Sequence, residues 1–202
     1  MNTQREQPKR PRIDISQDIL EAAKRGDQEA LAQIIRMTQG DVYTLALRLV
    51  GNPEDALDVT QETYLRALRG LSKFRGDSAF STWLYRVTAN TAYSYKAKAR
   101  KRRTEPFSDA DVERETAFSS NDPSPERAAI ASIAYEDVIR GLERLPAGSR
   151  TVVVLKDVYG FTHEEIADAL GISVTACKVR LFRARQRLKD LLTSKGSAAA
   201  SR

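Results

Sequence analysis

Between residues 105 and 126 the helical pattern of this chain stops, and that interruption constrains the fold more than any other feature. Pro106, Pro123 and Pro125 lie there among Ser108, Ser119 and Ser120, and Glu105, Asp109, Asp111, Glu113, Glu115, Asp122 and Glu126 face only Arg114. Such a stretch cannot continue a packed helix. On both sides of it apolar residues recur at spacings of three and four, and no segment shows the strict alternation of a strand. The expected fold is all-α: two small helical domains joined by a flexible acidic linker. The expected boundaries are a mobile basic tail over 1–15, a first domain over 16–104, the linker over 105–127, a second domain over 128–192 and a mobile tail over 193–202. The 202 residues suffice for two small cores.

In the first half, Ile19, Leu20 and Ala23 share a face, Gly26-Asp27 interrupts, and Ala30, Leu31, Ile34 and Ile35 resume the stripe. Gly40-Asp41 is read as the start of a further helix carrying Val42, Leu45, Ala46 and Leu49, with Gly51 past its end. Asn52-Pro53-Glu54-Asp55 combines an N-cap, Pro at the first helical position and acids in the first turn. The helix it opens is expected to turn Leu57, Tyr64, Leu68 and Leu71 inward. After the turn-rich Phe74-Arg75-Gly76-Asp77-Ser78, a long helix runs from about Phe80 toward Arg103.

The second half carries the most specific local signal. Thr162 with Glu165 makes a capping box, a short helix follows, Gly171 permits a tight turn and Ser173 caps the next helix. In that helix Val174, Cys177, Leu181, Ala184 and Leu188 form one inward stripe. Thr175, Val179, Phe182, Arg183 and Gln186 then face out, with Lys178 beside them. Every charge from Ser173 to Lys189 is basic, Arg180, Arg185 and Arg187 included. A capped helix-turn-helix whose second helix is uniformly basic suits the phosphates and major groove of duplex DNA. Phe182 on a polar face can touch a thymine methyl or a sugar.

The long helix of the first half ends in a second basic run, Lys96, Lys98, Arg100, Lys101, Arg102 and Arg103. Ahead of it lie Asn90, Tyr93 and Tyr95, then Trp83, Tyr85 and Arg86, and before those the polar turn from Arg75 to Ser81. Cations hold a backbone, aromatic faces stack on unpaired bases, and small polar groups read a base drawn out of the duplex. Trp83 taken alone fits a core position better, whereas the constellation as a whole favours nucleic acid. On the helix opened by Pro53, Asp55, Asp58 and Glu62 share a face with Gln61 beside them. Metal binding, a solvated face and docking onto a basic partner helix all fit that face. Within a chain of net charge +6 and pI near 9.5 it does not suit DNA.

Composition removes other classes. One cysteine excludes an internal disulfide, and one cysteine with one histidine leaves no structural zinc cluster. Val152–Leu155 is typical of the longest apolar runs, so no membrane insertion is expected. The start lacks the apolar segment of a secretory signal, and a cytoplasmic protein is expected. No nucleophile triad, metal set or phosphate-cradling glycine loop is visible, so no catalytic residue, metal or cofactor is assigned and the chain is read as a non-enzyme.

Three stretches carry a family resemblance: Asn52-Pro53-Glu54-Asp55-Ala56 through Gln61-Glu62, Phe74 through Leu84, and Thr162 through Leu188. Together they resemble bacterial extracytoplasmic-function (ECF) sigma factors, over about residues 16–104 and 128–192. The resemblance implies a region 2 helical bundle and a region 4 helix-turn-helix. It implies a subunit that binds core RNA polymerase at the beta-prime clamp and the beta subunit, recognises −10 and −35 promoter elements and initiates transcription of a stress or envelope regulon. An anti-sigma partner is common in the family. By position, Asp58, Gln61 and Glu62 match the clamp contact, which agrees with the acidic face that also includes Asp55. Arg66, Phe74, Asp77, Ser78, Phe80 and Asn90 match −10 strand capture, beside Arg75, Trp83, Arg86, Lys96 and Arg100 from the basic-aromatic helix. Lys156, Lys178, Val179, Phe182 and Arg183 match the −35 contacts, beside Thr175 and Arg180. The chain departs from the pattern at Ser94, where many members carry an acid, and at Val179, which cannot donate a hydrogen bond as a serine would. Residues 105–126 extended at ~3.3 Å each reach roughly 70 Å. Two DNA sites about 17 base pairs apart lie roughly 58 Å from one another at ~3.4 Å per pair, within that reach. A stand-alone helix-turn-helix regulator is the alternative reading.

Overall fold

The computed structural model describes residues 15–102 and 138–199, and the linker and the basic N-terminal tail fall outside them. The described residues are helical and contain no strand. Helices α1 (Gln17–Lys24), α2 (Gln28–Val50), α3 (Pro53–Leu71) and α4 (Phe80–Arg102) form the first group. The second contains the helical residues 138–143 (α5), then α6 (Ala147–Val153), which continues as a π-helical turn over Val154–Val158, then α7 (His163–Leu170) and α8 (Val174–Ala199).

Local chemistry sets most of these ends. Ser16 caps α1, and Asp27 caps α2 by accepting from the Ala30 amide at 2.8 Å. Asn52 caps α3 through the Asp55 amide at 2.8 Å, with Pro53 at the first position. The Thr162–Glu165 box closes in both directions at the start of α7, and Gly171 ends that helix with φ +64°.

Two sequence expectations fail for packing reasons. Gly40-Asp41 does not start a helix, because α2 runs unbroken from Gln28 to Val50. Ala30, Ile34, Thr38, Val42, Leu45, Ala46 and Leu49 are buried along one continuous stripe, and that burial outweighs the ~1 kcal/mol cost of one helical glycine. On α3 the buried residues are Ala56, Val59, Thr63, Ala67 and Leu71, whereas Leu57 and Leu68 are exposed and Tyr64 is half-buried. Small side chains let α3 sit close to α2 and α4, so the larger residues turn out. Helix α8 runs on to Ala199.

Two cores result. The smaller joins Leu20, Ile34, Leu71, Phe74, Phe80 and Leu84 within the first group. The larger crosses between groups, joining Leu45, Leu49, Val59 and Tyr85 to Leu145, Val152, Tyr159, Phe161, Ile166, Cys177 and Leu181. Tyr85 packs edge-on against Tyr159 at 5.1 Å, and Arg48 donates to the Tyr159 hydroxyl at 3.2 Å. Arg150 is the polar centre of this junction. Its Nε donates to the Leu142 carbonyl at 2.7 Å, Nη1 to the Leu49 carbonyl at 3.3 Å and Nη2 to the Glu143 carbonyl. Burial pulls its pKa down to about 10, against the raising effect of Glu143. Gly51 is required beside it, because φ is +86° and a Cβ would stand 2.8 Å from the Arg150 Nη1.

Candidate polymerase and nucleic-acid interfaces

The acidic face of α3 is present, but its carboxylates already have partners inside the protein. Asp55 is turned toward α4. It accepts from Lys96 at 2.8 Å, from Tyr95 at 2.9 Å and from Asn52 at 2.7 Å. Burial raises its pKa, yet the bonds from Lys96, Asn52 and Tyr95 and the Lys96 charge prevail, and it lies below its ordinary value. Asp58 is exposed and accepts from the Tyr95 hydroxyl at 3.1 Å. Glu62 is bonded by Arg66 at 2.6 Å, and that bond holds its pKa down. Gln61 is exposed between them. Asp55 and Lys96, read from sequence as parts of two different contact surfaces, therefore form one ion pair that fastens α4 to α3.

The turn before α4 is divided by depth. Phe74 and Phe80 are buried and pack with Trp83, the ring centroids lying 5.3 to 5.8 Å apart. The two phenylalanines therefore offer no open face to a base and instead form the floor beneath the turn. Arg75 and Asp77 are exposed above them and pair at 3.2 Å, and Ser78 is half-buried. Trp83 is half-buried at the start of a stripe that continues through Val87, Asn90, Ser94 and Lys98, open along the outer side of α4. Arg86 leaves this track, because it forms an ion pair with Asp168 of α7. The close packing of α7 on α4 brings that carboxylate to it. Arg100 lies on the α4 backbone, but its side chain is outside the described residues.

On α8 the helical wheel is largely correct. Thr175, Lys178, Val179, Phe182 and Arg183 are exposed, Phe182 at 64%. Arg180, expected beside them among the −35 contacts, is the exception. Its Nη1 is buried without a hydrogen-bond partner, and the guanidinium lies against Gly148, 3.1 Å from where a Cβ would stand there. It points into the junction, where Tyr93 of α4 also meets Gly148, and not toward a groove. Lys156 sits on the π-helical turn, half-buried, and the neighbouring Asp157 pairs with Arg185 at 3.0 Å. Partial burial lowers the pKa of His163, and the charges of Lys156 and Lys178 lower it further. His163 at the start of α7 therefore lies in the field of these two cations, opposed in part by Glu164. No group of three metal-ligating side chains occurs among the described residues.

Comparison with known proteins decides the family. Residues 34–102 match the model of Sigma-70 region 2, and residues 135–188 match that of Sigma-70, region 4. The RNA polymerase sigma-H factor of Pseudomonas aeruginosa is 35% identical over 181 residues, covering 87% of this chain and 93% of the relative. The ECF RNA polymerase sigma-E factor of Escherichia coli K12 is 35% identical over 179 residues, covering 86% and 92%. The chain belongs to the ECF sigma factors of the sigma-70 family.

Solved structures agree at the level of fold. CnrH, in complex with the cytosolic domain of CnrY, aligns with a TM-score of 0.57 at 27% identity, over 90% of this chain and 99% of that one. The sigma factor RpoE of Bartonella quintana, in complex with the anti-sigma factor NepR, aligns with a TM-score of 0.61 at 24% identity, over 80% and 96%. In this sigma factor the region 2 match spans most of α2 with α3 and α4, and the region 4 match ends at Leu188 of α8, which packs against the larger core. Asp168 and Arg150 were not singled out by sequence reasoning, and Tyr95, named there only with the basic-aromatic run of α4, was not expected to bond the carboxylates of α3. Each acts on a residue distant along the chain, so no local spacing announces it.

Proposed function

We propose that this ECF sigma factor fastens to the beta-prime clamp of core RNA polymerase through the outer face of α3, with Asp58, Gln61 and Glu62 as the contact residues. The 16–104 domain then holds the non-template −10 strand along the turn from Arg75 to Ser78 and the open stripe of α4, with Trp83 and Asn90 facing the bases and Arg66 at its edge. The 128–192 domain, carried on the beta subunit, reads the −35 duplex with α8. Thr175, Val179 and Phe182 meet base edges, and Lys156, Lys178 and Arg183 meet phosphates or guanine. The protein makes and breaks no covalent bond and works in the cytoplasm on a stress or envelope regulon. CnrH is solved with the cytosolic domain of CnrY, which supports a protein partner for this chain as well, of the anti-sigma kind that the family resemblance implies.

The observation that carries the reading is the exposed face of α8. In a chain of this family it presents Lys178, Val179, Phe182 and Arg183 to solvent on the second helix of a capped helix-turn-helix. One consequence is mechanical. The −10 and −35 sites lie roughly 58 Å apart on DNA, whereas α4 and α7 are joined here by the Arg86–Asp168 pair. Promoter binding therefore requires the junction to part, freeing Arg86 for a phosphate.

Run-off transcription with purified core polymerase on a promoter library tests this. The expected result is specific initiation that requires both proteins, with selected sequences converging on two elements about 17 base pairs apart. Specific duplex binding by the chain alone, with the dimer symmetry of a repressor, would overturn it in favour of a stand-alone regulator.

A further inference from the structure

The α3 face contains an arrangement that the docking role does not by itself require. Asp55 and Asp58 stand three residues apart on one helix face, a spacing at which two carboxylates repel. Between them lies the hydroxyl of Tyr95, 2.9 Å from Asp55 Oδ1 and 3.1 Å from Asp58 Oδ2. A phenol has one proton to give, so that proton is shared between two acceptors. The two acids are otherwise unlike. Asp55 is only 27% exposed, and Lys96 and Asn52 neutralise and fix it. Asp58 is exposed, and its bond to Tyr95 uses Oδ2, which leaves Oδ1 to accept from a partner.

We propose that Tyr95 is a positioning residue for polymerase docking, holding the Asp58 carboxylate in the orientation in which it accepts from a basic side chain of the clamp. This rests on the reading of the α3 face as the polymerase contact. Tyr95 does not itself touch the polymerase. Its ring packs against the larger core, and its place on α4 is fixed by the neighbouring Lys96–Asp55 pair. From that anchored base it reaches the one carboxylate of the Asp55–Asp58 pair that is open to solvent. Asp58 is thereby kept from swinging away from the repelling Asp55, and one of its rotamers is selected before the partner arrives. A side chain already ordered in its bound geometry loses less freedom on association. Burial and the two carboxylates also raise the Tyr95 pKa, so the hydroxyl keeps its proton and remains a donor throughout the physiological range.

The test is a double-mutant cycle on the full-length chain. Binding to core polymerase is followed by fluorescence anisotropy for the wild type, Tyr95→Phe, Asp58→Asn and the double variant, at several salt concentrations. Tyr95→Phe removes only the hydroxyl and is expected to weaken binding about three- to ten-fold. Asp58→Asn is expected to weaken it further and to flatten the salt dependence, because it removes a charge. Tyr95→Phe should leave the salt dependence as it is, and the double variant should bind no more weakly than Asp58→Asn alone. If Tyr95→Phe matches the wild type while Asp58→Asn is weak, the docking face stands and the role of Tyr95 is overturned. The role is equally overturned if Tyr95→Phe costs the same with Asp58 and without it, since the effect then comes from the fold. If Asp58→Asn itself costs nothing, the docking face is lost and the inference with it.

Discussion

The outer faces of α3 and α8 carry opposite charge, but they differ more in how that charge is satisfied at rest. On α3, Asp55 is paired with Lys96, Asp58 accepts from Tyr95 and Glu62 is bonded by Arg66. On α8, Lys178 and Arg183 are exposed and make no ion pair with another described residue. The acidic face is held in shape by its own protein, so a partner meets a rigid, partly neutralised surface. The basic face is open, and under the proposed reading its association with a phosphate backbone would gain the release of counterions. A rigid protein partner and a long polyanion call for these two solutions respectively.

The strongest way to extend the comparison is an arginine satisfied wholly inside the protein. Arg150 gives its donors to the carbonyls of Leu142, Leu49 and Glu143. Replacing it by alanine leaves buried carbonyls unpaired and opens a void at the junction. We expect Arg150→Ala to cost about 3 kcal/mol of stability, measured as a lowered urea midpoint. Stability within 0.5 kcal/mol or so of the wild type, the usual range for an exposed site, would show that the junction is not held there.

Next in size is a contrast within α8. Arg183 is open, whereas Arg185 is tied to Asp157 through both Nε and Nη2. Arg183→Ala is expected to weaken holoenzyme binding to a selected promoter by about 10- to 100-fold, the range of a lost base contact, and to relax sequence preference at one position. Arg185→Ala should weaken binding less, and evenly across sequences. Equal losses with equal loss of preference would dissolve the contrast between the two.

On α3 the comparison predicts a separation of roles. Asp55→Ala removes the pair with Lys96, in which both side chains are under a third exposed. It should cost about 1 kcal/mol of stability, with polymerase affinity reduced only through Asp58. Glu62→Gln, at an exposed pair, should leave the melting temperature unchanged and weaken docking. Thermal melts beside anisotropy separate the two effects, and a reversal of that order would mean that Asp55 is the contact.

These contrasts also show where sequence reasoning reached and where it stopped. Helix ends were legible because their causes are local: Asn52 before Pro53, Thr162 with Glu165, Ser173, and Gly171 in the left-handed region. The sign of each charged face was legible for the same reason. The inner face of α3 was misjudged, since spacing offers more than one apolar stripe and only tertiary packing chooses the small one of Ala56, Thr63 and Ala67. The pairing of charges was invisible, because Lys96 lies 41 residues from Asp55 and Arg86 meets Asp168 across the junction. A helical wheel sets Arg183 outward and Arg180 at the flank of the buried stripe, but it does not show that Arg180 turns into the junction against Gly148.

The smallest expected effect uses the one histidine of the chain as a probe of the open basic face. Burial and the charges of Lys156 and Lys178 hold the His163 pKa below 6.5, so the folded state favours the neutral ring. Unfolding restores the ordinary value, and protons are then taken up more readily by the unfolded chain. The contribution to stability is therefore fully present above pH 6.5 and is lost as pH falls from there through the folded pKa. Since a single imidazole titrates, its ring protons report that midpoint directly by NMR. Lys178→Gln should move the midpoint upward by removing a neighbouring positive charge, and duplex DNA on α8 should move it upward further by bringing phosphates near. A midpoint indifferent to both would place the ring outside the field of α8.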